Sequence, residues 1–543
     1  MRVGEKTTQR LFILCAALAA IFFFWSRLDF SSHIYYFGDG NVIVEIIRLM
    51  LSSHNWDPNW LRLKDVITLQ PQDVPLVKIP ESVGVFYNLS GYSLVGAAIC
   101  KIIYSTGFMD WPIQSILRGL NIALQIATLL LLFLTGKKLL SKNAGIIAAL
   151  LFVIFPLVVM EAHYERPETW LCFLLTAVVC CCVYFHEAPA RYTALIGVLI
   201  GLSAATKTNQ LFLLMLPALL LLHFQLTSAT GTAAQKIQKM FALGFLVLFC
   251  TSVTVYIHTP FLITHANEVI AGLKDQANFY STANYPYSEE HYSFLNQLFV
   301  SFRYYWFTLG SLWCLFLLTG TALLVKEFAE NPSSKKIINL MVVLPILFLF
   351  FFSALLIVFA ERTLSSIEGL LCLVTAFGFV RSMQQLEKIK STKKIFPVLT
   401  AAIILVMLFT PLRIDYLFVD HYIKHPDKPQ RVAFQDILKK DFQKFWIKNV
   451  YYSFKIQQQL PEKPEKAPRI YQIDDLNEHW TKNYLALLEQ IGFRRIGVYC
   501  SEFFDMPPNT LTIYHAAAKN HYYVRADEWP AEIATDYFKT NCP

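Results

Sequence analysis

The sequence contains few charged residues. Asp, Glu, Lys and Arg make up 16% of its 543 residues, against about 25% in an average soluble protein. Hydrophobic residues make up 55% and the mean hydropathy is +0.43, whereas the apolar share of soluble domains is about 45–50%. This composition excludes an ordinary soluble protein and predicts an integral membrane protein.

The sequence also lacks a metal-ligand or disulfide pattern, although it has 11 cysteines. All but two lie in apolar segments, where cysteine behaves as a small hydrophobe. The run Cys180-Cys181-Cys182 cannot direct three thiolates at one ion from a single helix. No metal site is predicted. Cys500 and Cys542 remain, and their pairing depends on whether the tail faces an oxidising compartment.

No basic tract with interleaved aromatic residues is present, despite a formal net charge of +8. The Lys and Arg residues cluster in short loops between apolar runs, where orientation of the chain in the bilayer explains them. The charge therefore predicts contact with a lipid bilayer and no nucleic-acid partner.

Long apolar runs recur along the chain, and about 20 residues are needed to cross a bilayer as a helix. The first extends from Leu11 to about Trp25, follows three basic residues and has no clear cleavage site, which predicts an uncleaved first span. The later runs are Gln114–Thr135, Ala144–Met160, Thr169–Phe185, Tyr192–Thr206, Leu211–Phe224, Phe241–Ile257, Tyr305–Val325, Ile337–Phe359, Ser365–Val380 and Ile395–Thr410. The sequence thus predicts an α-helical multi-pass protein of about eleven spans.

Two features of this pattern leave room for alternatives. The runs Tyr192–Thr206 and Leu211–Phe224 are short, so they are predicted to be tilted or partly buried. The stretch Val83–Ile103 is interrupted by polar residues and is predicted to be a helix at the membrane surface, within a first outer loop of about residues 28–112. If it spanned instead, every later loop would change sides.

The basic residues occupy alternate connections, on the same side as the N-terminus. Because cytoplasmic loops carry this excess, the N-terminus is predicted to be cytoplasmic and the chain after Pro411 extracytoplasmic. We expect the membrane to be the inner (plasma) membrane of a bacterium. Residues 1–411 form the predicted transmembrane domain and residues 412–543 a small extracytoplasmic α/β domain, with a helix at Trp480–Gln490 and strands at Arg495–Tyr499 and Thr510–Tyr514.

Ionisable residues collect at the outer ends of the predicted spans. Such groups are costly at a membrane edge and often mark a substrate path. Simpler interpretations exist: Glu168 complements a helix dipole, Lys207 extends to the interface, and Arg362 pairs with Glu361. The set comprises Asp39, Glu45, Glu161, His163, Glu165, Arg166, Glu168, Lys207 and Arg362.

Asp39 follows the first span in Phe37-Gly38-Asp39-Gly40 and heads a segment with polar residues at helical spacing. Asp39 is either a helix N-cap flanked by permissive glycines or a carboxylate with a chemical role. The segment by itself favours the N-cap interpretation of Asp39.

The pattern of charged residues and spans resembles that of the GT-C membrane glycosyltransferases, in particular the branches that contain the protein O-mannosyltransferases and the lipid A aminoarabinose transferases. The resemblance covers roughly residues 10–410. It rests on Asp39, the helix Glu45–Met50, Trp56-Asp57-Pro58, Arg166-Pro167-Glu168 before a span, and Gly197–Pro217 with Gly201, Thr206 and Lys207. That family often has an Asp-Glu or Asp-Asp pair where this chain has Asp39-Gly40, so the second acidic role falls to Glu45 or Glu168.

The resemblance implies transfer of a sugar from a polyprenyl-phosphate donor to a hydroxyl of a lipid, glycan or protein acceptor, with inversion. Asp39 is then the expected general base, and Lys207 and Arg362, with Arg166 behind them, are expected to hold the donor phosphate. The resemblance establishes no cofactor, and a divalent metal stays open because carboxylates alone do not demand one. A non-catalytic membrane scaffold or a transporter of lipid-linked intermediates is the alternative.

Overall fold

A computed structural model describes the membrane part of the chain in several stretches. They are residues 17–28, 91–107, 111–216, 232–259, 294–330, 334–355, 361–388 and 396–417, together with strands at 470–473, 493–498 and 520–525. Single positions between 43 and 51, between 219 and 274, and at 419 are also described.

The described membrane part is helical. Its helices are α1 (Ala17–Arg27), α2 (Gly91–Ser105), α3 (Ile113–Leu139), α4 (Lys142–Val153), α5 (Pro156–Glu161), α6 (Glu168–Tyr184), α7 (Pro189–Thr206), α8 (Ala233–His258), α9 (Phe294–Leu309), α10 (Ser311–Glu330), α11 (Ser334–Leu355), α12 (Glu368–Lys388) and α13 (Phe396–Leu417). Short 3₁₀ segments cover Phe185–Glu187, Thr208–Leu214 and Glu361–Ile367.

Six described helices are long and apolar enough to cross a membrane. They are α3, α8, α10, α11, α12 and α13, and the shorter apolar helices α1, α2, α4 and α6 accompany them. The prediction of a helical multi-pass membrane protein is confirmed. The count of eleven spans stays a prediction.

Two predicted runs are broken in the structure. Tyr305–Val325 is not one helix, because α9 ends at Leu309 and α10 begins at Ser311. Gly310 between them has φ +89°, a conformation that glycine adopts without steric cost. The run Ala144–Met160 is likewise divided, since α4 ends at Val153 and Pro156 opens α5. Proline favours the first turn of a helix and cannot donate a bond within one.

Two further boundaries differ from the predicted ones. The run Leu211–Phe224 begins as a 3₁₀ segment, Thr208–Leu214, and its second half lies largely outside the described residues. The last membrane helix continues beyond the predicted end at Thr410, through Pro411 to Leu417. The domain boundary between residues 411 and 412 stays a prediction.

Close packing against α8 fixes the position of α7. A Cβ on Gly201 would lie 2.6 Å from Thr254 Cβ, and one on Gly197 would lie 2.7 Å from Cys250 Cβ. Small residues allow membrane helices to approach this closely. Thr251 also donates a hydrogen bond to the carbonyl of Gly197 at 3.0 Å. These contacts hold α7 firmly, and Lys207 follows directly after its last turn.

Helix α2 overlaps the stretch predicted as a membrane-surface helix. It begins at Gly91, where a Cβ would lie 2.9 Å from the carbonyl oxygen of Ala205 near the end of α7. The start of α2 therefore packs beside Lys207. Whether α2 lies along the membrane surface stays a prediction.

The described part of the tail is a three-stranded antiparallel sheet in the order β1-β3-β2. Its strands are β1 (Ile470–Ile473), β2 (Phe493–Val498) and β3 (Asn520–Arg525), with Ile470 opposite Val524 and Phe493 opposite Arg525. Strand β2 overlaps the predicted strand Arg495–Tyr499. The predicted helix Trp480–Gln490 and strand Thr510–Tyr514 lie outside the described residues, as do Cys500 and Cys542, and the α/β domain as a whole stays a prediction.

Candidate functional site

The structure brings together three of the six predicted site residues: Arg166, Glu168 and Lys207. Asp39 and Glu45 lie outside the described residues. The backbone of Arg362 belongs to the 3₁₀ segment Glu361–Ile367, and its side chain is outside the description.

Arg166 and Glu168 belong to a buried connection between α5 and α6. Pro167 is the N-cap of α6, and its carbonyl accepts the amide of Leu171 at 2.9 Å. Glu168 is the first residue of α6, where a negative charge complements the helix dipole. The two charged side chains are only 3% and 2% exposed.

Lys207 and Glu168 form an ion pair, with Lys207 Nζ 2.7 Å from Glu168 Oε1. Lys207 stands at the end of α7 in an extended conformation, and its amide donates to the carbonyl of Ser203 at 2.9 Å. Glu168 is 2% exposed and the Lys207 side chain is 23% exposed. Lys207 is thus the member of the pair that an incoming ligand meets.

Arg166 links two of the carboxylates. Its Nη2 lies 2.6 Å from Glu161 Oε1, and its Nε lies 4.0 Å from Glu168 Oε2. The guanidinium also lies over the ring of Tyr164, with Cζ 4.4 Å from the ring centroid. These contacts fix its orientation behind Lys207.

A further buried ion pair lies in the same connection. Arg118 of α3 donates from Nε to Glu165 Oε1 at 2.7 Å, and both side chains are almost fully buried. Burial raises the pKa of Glu165, while Arg118 and then Arg166 act to lower it. Breaking such a pair would leave one buried charge uncompensated.

Helix α3 supports the connection from Val153 to Glu168 with a polar stripe. Asn121 donates from Nδ2 to the carbonyl of Tyr164 at 2.7 Å and to that of Glu161 at 3.3 Å. Gln125 donates to the carbonyl of Val158 at 2.7 Å. The connection interrupts regular helical bonding inside an apolar environment, and these amides supply further hydrogen bonds to its carbonyls.

Tyr92 of α2 completes the described surroundings. Its hydroxyl lies 3.2 Å from Asn121 Oδ1, the other end of the same amide group. The side chain is buried and within electrostatic range of Glu165, Glu168 and Glu161. Tyr92 therefore joins α2 to the same network.

Glu368, the first residue of α12, is a further buried carboxylate. It is 2% exposed and within electrostatic range of Glu161 and Glu168. Its Oε1 has no hydrogen-bond partner among the described residues. Glu368 thus places a further buried carboxyl group near Glu161 and Glu168.

The sequence interpretation missed Arg118, Asn121, Gln125 and Glu368. The first three lie in the run Gln114–Thr135, which reads as an apolar span. Their spacing of three and then four residues places them on one helix face, and this was the available signal. Nothing in the sequence connected Glu368 with Glu168, since the two meet only because α12 packs against α6.

The arrangement can bind an anion at one point. Lys207 is partly exposed, already charged and held by a buried carboxylate, so a phosphate oxygen could approach its ammonium group. A metal site is not evident, since the described residues contain no group of three His, Cys, Asp or Glu side chains that could hold an ion.

Residues 93–257 match the family model described as dolichyl-phosphate-mannose-protein mannosyltransferase. This stretch contains α3 to α8 and therefore Arg166, Glu168 and Lys207. This match covers less than a third of the 543 residues and supports a GT-C superfamily membrane glycosyltransferase. The resemblance seen in the sequence is confirmed at this level. None of the curated protein sequences matches the chain.

Solved structures share the fold of this chain. One is the archaeal oligosaccharyltransferase AglB from Archaeoglobus fulgidus in complex with an inhibitory peptide and a dolichol-phosphate. It is 12% identical, with a TM-score of 0.51, and the match covers 83% of this chain and 60% of the AglB chain. The apo oligosaccharyltransferase of the same organism has 12% identity, TM-score 0.50, and coverage of 82% and 60%. The chain described here thus spans about 60% of the length of those two proteins.

A third similar structure is ArnT from Cupriavidus metallidurans bound to undecaprenyl phosphate. It has 11% identity and TM-score 0.45, and the match covers 94% of this chain and 97% of ArnT.

Proposed function

We propose that this GT-C protein transfers a sugar from a polyprenyl-phosphate donor to an acceptor hydroxyl, with inversion at the anomeric carbon. The matched family is described by a dolichyl-phosphate sugar, and the AglB structure contains a dolichol-phosphate and a peptide. A lipid-linked donor also suits a site built between membrane helices. The acceptor belongs to the lipids, glycans or proteins that reach the membrane surface.

The ion pair of Lys207 with Glu168 is the observation that carries the proposal. Lys207 is 23% exposed while its partner is buried, so the ammonium group can contact a donor phosphate without losing Glu168. Charge develops on the phosphate as the sugar leaves it, and a fixed cation in a partly dry site stabilises that charge. Arg166 acts from behind by holding Glu161 and Glu168, and Arg362 is a second proposed phosphate ligand.

The acceptor must lose a proton as its oxygen attacks the sugar. We assign that proton to Asp39, with Glu45 and Glu168 as the other carboxylates for the acidic roles. General bases of this kind contribute about 10²–10⁴-fold to a rate. Glu168 is paired with Lys207, which favours an electrostatic role for Glu168 and leaves Asp39 as the base.

Replacement of Lys207 by Met tests the proposal. The change keeps much of the apolar stem and removes the charge, so kcat/KM for a polyprenyl-phosphate sugar should fall by at least about tenfold, as expected for loss of a charge-assisted contact. Transfer from a radiolabelled donor by the purified protein in nanodiscs measures it.

Lys138 provides a matched control. Its Nζ lies 2.7 Å from Glu187 Oε1, the same separation as in the Lys207 pair. It stands 20 positions after Arg118 on α3, or about 30 Å along the helix. Lys138→Met should retain transfer. Equal rates for wild type and a correctly inserted Lys207→Met protein would contradict the phosphate assignment.

We further propose that the site faces away from the cytoplasm, in the inner membrane of a bacterium. The cluster of Lys137, Lys138 and Lys142 lies at the opposite end of α3 from Arg118, and basic loops are typically cytoplasmic. Reporter fusions after residues 140 and 417 should give cytoplasmic and extracytoplasmic signals respectively. The reverse pattern would contradict the orientation.

A further inference from the structure

His163 lies within the charged connection, but one of its ring nitrogens contacts a different helix. Its Nε2 is 2.7 Å from the carbonyl oxygen of Ser26, and the side chain is 1% exposed. A carbonyl can only accept, so Nε2 carries the hydrogen and donates it. This bond joins two segments separated by 137 positions.

Arg27, beside Ser26, binds the start of the connection that runs from Val153 to Glu168. Its Nη2 donates to the carbonyl of Val153 at 2.9 Å, and its Nε donates to Gln125 Oε1 at 2.6 Å. Nη1 donates to Ser26 Oγ at 2.7 Å. The guanidinium is thus bonded to its own helix, to α3 and to the end of α4.

The end of α13 packs at the same place. Trp25 and Tyr416 stack with their ring centroids 6.0 Å apart and their planes at 8°. Asp415 is 1% exposed and within electrostatic range of Arg27. The end of α1 is therefore held by an aromatic contact and a complementary charge, which makes it a rigid support for His163.

The connection is consequently attached at several points, of which Asn121 provides those at Glu161 and Tyr164. Arg27 binds Val153, Gln125 binds the carbonyl of Val158, and His163 binds Ser26. Arg166 follows His163 by three positions and Glu168 by five, so a shift of His163 is passed to both through a short length of chain.

We propose that His163 is a positioning residue for the donor-phosphate site, acting through its hydrogen bond to the Ser26 carbonyl. The proposal rests on the proposed function of that site. The bond to α1 holds Arg166 and Glu168 where Glu168 can direct Lys207. A displacement of about 1 Å in such a group can cost about 10²-fold in rate.

Three substitutions separate positioning from packing. His163→Gln places an amide nitrogen the same number of bonds from Cα as Nε2, so it can still donate to Ser26. His163→Asn is polar but one bond shorter, and His163→Leu has no donor. We expect His163→Gln to keep kcat within about threefold of wild type, and His163→Asn and His163→Leu to lose about tenfold or more.

The measurements are kcat and KM for the donor, thermal unfolding, and binding of polyprenyl phosphate to the protein in nanodiscs. The expected result is loss of kcat in His163→Asn with an unfolding temperature close to that of His163→Gln. Equal activity of the Asn and Gln variants, whether both high or both low, overturns the positioning role. If His163→Leu does not fold, the Asn and Gln pair still decides.

Wild-type protein separates this proposal from the proposed function. If wild type neither binds polyprenyl phosphate nor transfers a sugar, the proposed function fails. If wild type does both and His163→Asn is unchanged, only the positioning role fails.

Discussion

Glu168 and Lys207 are 39 positions apart in the chain, yet Lys207 Nζ lies 2.7 Å from Glu168 Oε1. One residue begins α6 and the other follows α7. Antiparallel neighbours bring the start of one helix beside the end of the next, so the pair is a consequence of the short connection Phe185–Ala188 between them. The contact joins a buried carboxylate to a cation that ligands can reach.

Glu168→Gln should lower donor use by weakening the orientation of Lys207. The amide keeps the shape and one acceptor oxygen, so the fold should persist while the ammonium group loses its charged partner. We expect a rise in donor KM and a loss of at least about fivefold in kcat/KM. Steady-state kinetics with the purified protein check this.

The double variant Glu168→Gln, Lys207→Met provides the control for that experiment. If the two residues act as one unit, the double variant should be little worse than Lys207→Met alone. If the activity loss of the double variant instead equals the product of the two single-variant losses, Glu168 acts independently of Lys207.

Arg118→Leu should destabilise the protein strongly. It leaves Glu165 buried without the cation that lies 2.7 Å away, and removal of one partner from a buried pair typically costs about 3–5 kcal/mol. Thermal unfolding in detergent measures the loss. Arg118→Leu combined with Glu165→Leu should recover much of it, because no buried charge is then left alone.

The same variant should respond to pH in a defined direction. Burial raises the pKa of Glu165, and Arg118 opposes that rise. A carboxyl group with a raised pKa contributes stability below its unfolded pKa and loses it as pH rises through the folded pKa. The loss of thermal stability in Arg118→Leu relative to wild type should therefore be smaller at acid pH than at pH above neutrality. A stability loss that grows as the pH falls would contradict this.

Gly201→Leu should separate α7 from α8. The Cβ of any side chain at this position would meet Thr254 Cβ at 2.6 Å and the carbonyl of Thr251 at 2.8 Å, so the helices must move apart and Lys207 with them. We expect lower thermal stability and loss of transfer. Gly119→Ala is the matched control, because a Cβ there has no neighbour within 4 Å; it should be tolerated and slightly stabilising.

Asp39→Asn should abolish transfer without lowering thermal stability. Asn caps a helix about as well as Asp but cannot accept a proton at neutral pH. Asp39→Ala should lose both activity and about 1 kcal/mol of stability if the residue is also a cap. Activity and thermal unfolding of the two variants distinguish the roles. An active, stable Asp39→Asn protein would leave the base assignment to Glu45 or Glu168.

Hydrophobicity in the sequence was sufficient to predict a helical membrane protein and the approximate position of most described helices. Each run needs only local information, because every backbone polar group in a bilayer must be bonded within its own segment. The breaks at Gly310 and Pro156 were harder to predict from hydropathy, since both residues occur inside runs that are apolar on either side.

The sequence also indicated that Arg166, Glu168 and Lys207 matter, because charge is costly at a membrane edge. It did not show which charges pair. The partners of Glu168 and Glu165 come from other helices, and the bond from His163 to Ser26 crosses most of the first half of the described chain. Such pairings depend on which helices pack together, so only the tertiary structure decided them. The physical reason is close packing: α7 approaches α8 at Gly197 and Gly201, and α2 approaches the end of α7 at Gly91.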